Sequence, residues 1–390
     1  MNKRSKNARR SYKISLAIIA LTLISFIDVV QNEPIRARLL QDNTTTPSAI
    51  VGDITIVKTV EKSFPNELTP QQFKAWDTQL PFPCVKESSP NTEGIFYIKL
   101  PKTSSTTLAK VTNRIAVRQA KRQNLGEITC KIHNPYTHQR ATIIDIGGRD
   151  LSKSWLWSVV RNPTDREISH YGMRASRGER DTNDFINSFE THPPPRNIQL
   201  HFLAPEETPH GISDEEIAHH VQSILQNYNF IGIYEELDKS LVVLSMLLGV
   251  EINDVIYDFL PSRMTRCGSL EPPGWLTPEI KQFTTTDKWF QHNKADFILY
   301  DMVNKAFYNT IEMLGPDKVQ AKLDQFQRLI RIGTTYAQEQ MHMKGCGVPL
   351  LFPEIKPWND IDELSWFSKL SIENQEFVKK SSPRSWENMN

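Results

Sequence analysis

Two hydrophobic patterns alternate along the chain between residue 94 and about residue 330. Short runs of mostly apolar residues, typical of buried strands, lie at 94–100 (GIFYIKL), 142–146, 155–160 (WLWSVV) and 229–234 (NFIGIY). Segments with helical spacing or helix-start signals lie at 106–123, after Asn162-Pro163, at 236–248, at about 293–314 and from 318 to about 331. Strands that alternate with helices predict an α/β fold with a mainly parallel sheet flanked by helices.

The amino-terminal 30 residues carry a different pattern, a basic segment followed by an apolar one. Six Lys and Arg residues precede Asp28, the first acidic residue, and residues 14–27 contain no charge. A helix over 14–30 would be about 25 Å long, at the short end for a membrane span. Because positive charge stays on the cytosolic side, we predict a cytosolic tail at 1–13 and a single-pass type II signal-anchor at 14–30. The alternative is a signal peptide whose cleavage would release a secreted protein.

The rest of the chain divides into three segments by composition. Residues 31–92 are polar and rich in proline, which is typical of a stem, and include an N-glycosylation acceptor sequence at Asn43. Residues 93–350 hold the alternating strands and helices and form the predicted main domain. Residues 351–390 form a carboxy-terminal tail.

Composition narrows the class of protein. The 46 Lys and Arg residues against 45 Asp and Glu residues give a net charge of +1, and a mean hydropathy of −0.44 excludes a multi-span membrane protein. An isoelectric point near 7.7 argues against nucleic acid as a partner, and nothing in the composition bears on oligomeric state. In a lumenal protein, four cysteines could form two disulfides, with three possible pairings; the cysteines are Cys84, Cys130, Cys267 and Cys346. We favour the pairing that joins Cys267 to Cys346.

The first candidate site follows the strand run at 94–100. Lys102 and a run of small hydroxyl residues at 103–107 (TSSTT) connect this strand to a helix. Free N–H groups, hydroxyls and the positive end of the helix dipole would surround one point, which suits an anion. Seven basic residues and no acidic residue lie between Glu93 and Glu127, which adds a local positive field. The loop lacks the glycines and the terminal lysine of a Walker A loop.

A second candidate site follows the strand run at 155–160. Arg161 comes at its carboxyl end, and Ser169 follows eight residues later on the next predicted helix. A guanidinium offers a planar fork of donors and a serine offers a hydroxyl. We therefore expect Arg161 and Ser169 to converge on a second anion.

These two segments together resemble a known family. The sequence from Pro101 to Thr107 (PKTSSTT) is similar to the 5′-phosphosulfate loop of Golgi carbohydrate sulfotransferases, and Arg161 with Ser169 is similar to their 3′-phosphate motif. The motifs come in the order of that family, each after a strand. The segment 228–238 (YNFIGIYEELD) also resembles the family's late strand-to-helix segment. The resemblance covers roughly residues 94–315.

The resemblance implies a fold, a donor and an acceptor. The fold would be the P-loop NTPase-like sulfotransferase fold, and the co-substrate would be 3′-phosphoadenosine 5′-phosphosulfate. Lys102 would contact the 5′-phosphate and the sulfuryl oxygens, and Arg161 and Ser169 would hold the 3′-phosphate. A carbohydrate hydroxyl in the Golgi lumen would accept the sulfuryl group. The residues that would surround the 5′-phosphate are Pro101, Lys102, Thr103, Ser104, Ser105, Thr106 and Thr107.

The acceptor hydroxyl also needs a general base. The resemblance implies a His or Glu between the two motifs, a little over twenty residues before the 3′-phosphate arginine. His138 lies 23 residues before Arg161, so we favour it over His133, with Glu127 and Asp145 as further alternatives. A zinc site at Cys130, His133 and His138 lacks a convincing fourth ligand, and we expect no metal.

Two other functions compete with a sulfotransferase. A P-loop kinase or another nucleotide-dependent transferase would need a Walker-type loop and a metal-binding Asp on a later strand, and neither is evident. A non-catalytic lumenal glycan-binding protein could keep a degenerate nucleotide fold, but it would bind no 3′-phosphorylated nucleotide.

Overall fold

The sheet of the computed structural model has four parallel strands in the order β2-β1-β3-β4. The model describes residues 76, 83–126, 129–133, 137–176, 185–191, 196–208, 212–257, 276–344 and 372–381. The strands are β1 (Gly94–Tyr97), β2 (Ile132–His133), β3 (Ser154–Val160) and β4 (Phe230–Ile233). The predicted mainly parallel α/β architecture is therefore confirmed.

Helices follow the strands along the chain. The first half holds α1 (Ser105–Arg122), α2 (Pro163–Ser176), α3 (Phe185–Thr191), α4 (Ile198–Leu203) and α5 (Asp214–Asn227). The second half holds α6 (Leu237–Leu248), α7 (Pro278–Phe283), α8 (Asp287–His292), α9 (Lys294–Leu314), α10 (Pro316–Lys344) and α11 (Ile372–Ser381). Helices α6 and α9 pack against β4, and α10 packs against α6.

The core is centred on β1 and β3. Every residue of both strands is buried, as their continuous apolar sequences predict. The register places Gly94 opposite Ser154 and Tyr97 opposite Trp157, and β4 continues the sheet with Phe230 opposite Trp157. This pairing brings the carboxyl ends of β1, β3 and β4 to one edge of the sheet.

Two strand assignments differ from the sequence prediction. The predicted strand at 142–146 is wrong, because this segment forms turns that lead into a short 3₁₀ helix at Ile146–Gly148. Ile143 is 64% exposed and Asp145 has a left-handed φ of 48°, so the apolar residues of this segment do not share a buried face. Strand β2 was not predicted, because its two residues are too few to show a pattern.

Residues on the stem side of position 93 also pack on this fold. Trp76 is buried, its main-chain N–H donates to Thr310 Oγ1 at 3.0 Å, and its ring meets Phe230 edge-on. Cys84 forms a disulfide with Cys130, two residues before β2. The polypeptide just before β1 is therefore cross-linked to the segment that leads into β2.

Several sequence predictions fall on residues that the structure does not describe. They concern the anchor at 14–30, the acceptor sequence at Asn43 and the pairing of Cys267 with Cys346. Among the described helices, none has both the length and the apolar character that crossing a bilayer requires.

Removing the disulfide is expected to lower the free energy of unfolding by about 4 kcal/mol at most. Cys84 and Cys130 are 46 residues apart, and the cross-link restricts a loop of that length in the unfolded chain. Denaturant unfolding of Cys84→Ala, Cys130→Ala and the double variant measures the loss. All three should lose nearly the same amount, since either substitution removes the cross-link; losses that add in the double variant would contradict this.

Candidate functional site

The predicted site residues follow three adjacent strands of the sheet. Lys102 comes after β1, His138 after β2, and Arg161 directly after β3. The chain moves from β1 outward to β2 and then returns to β3 on the other side of β1. The carboxyl ends of β1 and β3 therefore lie at a topological switch point, which is where open α/β sheets bind ligands.

The loop after β1 has an unusual backbone. Lys102 and Ser104 adopt left-handed conformations with φ of 69° and 57°, on either side of Thr103. The side chain of Ser104 does not cap α1, and the first turn of that helix contains no acidic residue. Main-chain N–H groups of such a loop, together with the positive end of the helix dipole, form an anion-binding concavity.

The hydroxyl residues of this loop differ in what they can offer an anion. The hydroxyl of Thr103 is buried and donates to the carbonyl of Leu100 at 3.1 Å, so Thr103 offers its main-chain N–H rather than its hydroxyl proton. Ser105 is buried at the start of α1, whereas Thr106 is exposed. Pro101, Ser104 and Thr107 are half-buried.

Arg161 joins the two predicted motifs. Its Nη1 donates to the carbonyl of Lys102 at 3.2 Å, and its guanidinium lies 4.3 Å from the centre of the Tyr234 ring. The Nε of Arg161 is buried and has no hydrogen-bond partner within the described residues. The cation–π contact and the bond to the loop hold the guanidinium beside the anion-binding concavity.

Ser169 lies on α2, which starts next to Arg161. The side chain of Asn162 caps this helix, accepting from the N–H of Thr164 at 3.0 Å, and its own N–H donates to Glu235 Oε1 at 2.9 Å. Helical spacing puts Ser169 on the same side of α2 as Asn162, about 9 Å along the axis from Pro163. Ser169 is half-buried there.

His138 lies beside the loop. Its Nδ1 is 2.7 Å from the carbonyl of Lys99, so Nδ1 carries the proton and Nε2 has the free lone pair in the neutral ring. Burial lowers the pKa of His138, the hydrogen bond to Lys99 opposes this, and the charges of Lys99 and Lys102 lower it further. A neutral imidazole within the field of Lys102 is suited to accept a proton.

His133 points to a different part of the sheet. Its Nε2 is 2.7 Å from the carbonyl of Glu93, at the amino end of β1, and its ring stacks on Phe96 at 3.9 Å. Burial lowers its pKa as well, but the charges that act on it are those of Lys131 and Glu87. Of the two histidines, His138 is the one that the structure brings to Lys102.

The other residues considered as general base or metal ligand are Asp145, Glu127 and Cys130. Asp145 lies exposed on a turn, and Glu127 is outside the described residues. The sulfur of Cys130 is committed to the disulfide, so it is not available to zinc. Across the part of the chain that the structure describes, no three His, Cys, Asp or Glu side chains are grouped to hold a metal ion.

The acid-free basic segment is partly neutralised in space. Arg118 Nη1 lies 3.1 Å from Asp254 Oδ1, and Arg122 lies 2.5 Å from Asp254 Oδ2 and 3.3 Å from Glu251 Oε2. These arginines occupy the carboxyl end of α1, away from the loop. The positive field at the loop therefore comes from the helix start and nearby cations rather than from all seven basic residues.

Two residues that hold Arg161 were not predicted from the sequence. Gln199 accepts from the N–H of Arg161 and donates to its carbonyl, both at 2.8 Å. Tyr234 lies under its guanidinium. Tyr234 is the last residue of the strand run at 229–234, which places it at the carboxyl edge of the sheet, whereas Gln199 lies in a short helix with no such pattern.

Comparisons with known proteins identify a family. The family model described as galactose-3-O-sulfotransferase matches residues 189–384, half of the chain. The match includes Gln199 and Tyr234 and starts after Lys102, His138 and Arg161. No curated protein and no solved structure matches the chain. The chain belongs to the galactose-3-O-sulfotransferase family, a family of carbohydrate sulfotransferases.

Proposed function

We propose that this protein transfers a sulfuryl group from 3′-phosphoadenosine 5′-phosphosulfate to a carbohydrate hydroxyl, and that this hydroxyl is the 3-hydroxyl of a galactose residue. The observation that carries the proposal is the hydrogen bond between Arg161 Nη1 and the carbonyl of Lys102. It joins two anion-binding elements at one edge of the sheet, as a nucleotide with phosphate groups at both ends requires. The family name supports galactose as the acceptor sugar.

The residues fit the two anionic ends of this donor. The loop at 101–104 and the start of α1 offer N–H groups and a positive dipole end to the 5′-phosphosulfate. The buried Nε of Arg161, which lacks a partner among the described residues, adds a donor for the 3′-phosphate. When bound, the nucleotide supplies the sulfuryl group and departs as adenosine 3′,5′-bisphosphate.

Two side chains would then carry the reaction. His138 Nε2 would take the proton of the acceptor hydroxyl while the hydroxyl oxygen bonds to sulfur. In the same step, the bond between sulfur and the oxygen of the 5′-phosphate would break. The ammonium group of Lys102 would stabilise the negative charge that develops on the departing phosphate oxygen. Positioning and electrostatic stabilisation supply the acceleration in such a displacement.

Location and fold complete the proposal. The disulfide between Cys84 and Cys130 favours an oxidising compartment, which agrees with a Golgi lumenal domain behind a type II signal-anchor at 14–30. A strand, an anion-binding loop and a helix at the switch point support the P-loop NTPase-like sulfotransferase fold.

Transfer of labelled sulfate by the full-length chain in mild detergent tests the activity. The acceptors are a glycan with terminal galactose and matched glycans that end in 3-deoxygalactose or 6-deoxygalactose. We expect transfer to the first and the third only. Transfer to 3-deoxygalactose overturns the position, and no transfer to any glycan, with no thermal shift on adding adenosine 3′,5′-bisphosphate, overturns the activity.

Replacing Arg161 with alanine is expected to weaken binding of adenosine 3′,5′-bisphosphate by about 10–100-fold, since a hydrogen bond to a charged group is worth about 1.5–3 kcal/mol. Binding of adenosine 5′-phosphate should change much less, because it lacks the 3′-phosphate. Titration calorimetry measures both constants. Arg328→Ala, which removes an arginine paired with Glu373 on α11, is the control, and equal losses for both nucleotides in Arg161→Ala would contradict the assignment.

A further inference from the structure

Gln199 takes up the main-chain hydrogen bonds of Arg161, directly beyond the end of β3. The last main-chain bond between β3 and β4 joins the N–H of Tyr234 to the carbonyl of Val160 at 2.8 Å. Arg161 lies one residue beyond this point. The side-chain amide of Gln199 satisfies both its N–H and its carbonyl, each at 2.8 Å. Gln199 is completely buried, so this pairing is shielded from water.

A buried carboxylate holds Gln199 in turn. Asp296, in the first turn of α9, accepts from the N–H of Gln199 at 3.0 Å and from the N–H of Leu200 at 2.8 Å. Both N–H groups belong to the start of α4, where a carboxylate is favourable. Asn197, just before α4, also accepts from the N–H of Ala295 at 3.0 Å. The main chain of Gln199 is therefore fixed to α9.

Charge ties this arrangement to α2. Arg166 is completely buried, and its positive charge opposes the rise in the pKa of Asp296 that burial causes. Burial lowers the pKa of Arg166 to about 10, the charge of Asp296 opposes this, and the charge of Arg161 lowers it further. Asp296 thus compensates part of the positive charge that Arg161 and Arg166 bring together.

We propose that Gln199 is a positioning residue that sets the preference of this site for a 3′-phosphorylated nucleotide. It fixes the main chain of Arg161 at the point where the side chain leaves the sheet. The direction of the guanidinium toward the loop therefore depends on Gln199, and Asp296 supports Gln199 from behind. This inference rests on the proposed function, because it assigns a role in holding the donor of that reaction.

Nucleotide affinities of Gln199→Met test the inference. Methionine has a similar shape but neither donates nor accepts these hydrogen bonds. The dissociation constants for adenosine 3′,5′-bisphosphate and adenosine 5′-phosphate are measured on the full-length chain, and their ratio gives the preference for the 3′-phosphate. We expect Gln199→Met to lower this preference about tenfold. Gln119→Met is the matched control, because Gln119 is also buried but lies near the far end of α1.

The outcomes separate the inference from the proposed function. If the wild-type protein shows no preference for the 3′-phosphate, the proposed function fails. If the wild type shows the preference and Gln199→Met keeps it, the inference alone fails, as it does if both affinities fall equally. Should Gln199→Met not fold, Gln199→Asn takes its place, because it keeps an amide but withdraws it by about 1.5 Å. An unchanged preference in Gln199→Asn then overturns the inference.

Discussion

Replacing Lys102 with alanine is expected to lower kcat for sulfuryl transfer by about a thousandfold. In other group-transfer enzymes, removing one hydrogen-bond donor that stabilises charge in the transition state lowers kcat by about 10²–10³. An arginine that stabilises a transferring phosphoryl group contributes about 10³–10⁵ to kcat. Binding of adenosine 3′,5′-bisphosphate should fall far less, since the main-chain N–H groups of the loop remain. The measurement is turnover with a galactose-terminated glycan at saturating donor.

The backbone of Lys102 makes this variant informative. Its carbonyl accepts from Arg161 Nη1, and its main chain is left-handed, with a φ of 69°. Lys102→Gly removes the same side chain and also relieves a left-handed conformation, which costs about 1–2 kcal/mol in residues other than glycine. We therefore expect Lys102→Gly to be at least as stable as Lys102→Ala and equally inactive.

Controls separate the catalytic loss from a general loss of positive charge. Lys110 is an exposed lysine on α1, the helix that follows the Lys102 loop. Lys110→Ala therefore removes one positive charge from a position close to Lys102 in the sequence. It should keep turnover within about twofold of wild type, because exposed charges are strongly screened. Wild-type turnover in Lys102→Ala, or an equal loss in Lys110→Ala, would contradict the role of Lys102.

The sheet was predictable, as was the edge at which the candidate site residues lie, because the signals for both are local. Continuous apolar runs identify β1, β3 and β4, and the polar residues that follow each run lie at the carboxyl edge of a parallel sheet. The segment 142–146 misled because an apolar run alone does not show whether its side chains are buried. Strand β2 consists of two residues and depends on its partner β1 for its existence.

The supports of the site were not predictable because they join distant parts of the chain. Gln199 is 38 residues from Arg161, and Asp296 is 97 residues from Gln199. Likewise, the acid-free segment of α1 gave no sign of Asp254, which is 136 residues from Arg118 and neutralises it. Sequence order shows which charges are near along the chain, whereas the field at a site depends on which charges the fold brings near.

The family match and the motifs proposed to bind anions occupy different halves of the chain, and the fold joins them. Residues 189–384 match the family model, and they include Gln199, Tyr234 and Asp296. Gln199 and Tyr234 contact Arg161, which precedes the matched region. The matched half therefore provides the support of a site whose proposed donor-binding and catalytic groups lie in the other half.

Replacing His138 with alanine is expected to lower kcat by about 10²–10⁴, the range that general acid–base catalysis contributes. Nucleotide affinity should remain unchanged, because His138 contacts the carbonyl of Lys99 rather than the groups assigned to the donor phosphates. The pH profile identifies the group. A general base acts when deprotonated, so kcat/KM of the wild type falls as pH decreases through the pKa of His138.

The position of that acidic limb follows from the surroundings of the ring. Burial lowers the pKa of His138, as do the charges of Lys99 and Lys102, so the midpoint of the limb should lie below about 6.5, the usual value for histidine. The limb should vanish in His138→Ala and persist in the matched variant His133→Ala, whose ring faces Glu93 at the other end of β1. If His133→Ala loses the limb while His138→Ala keeps wild-type kcat, the base is His133 and His138 has no catalytic role.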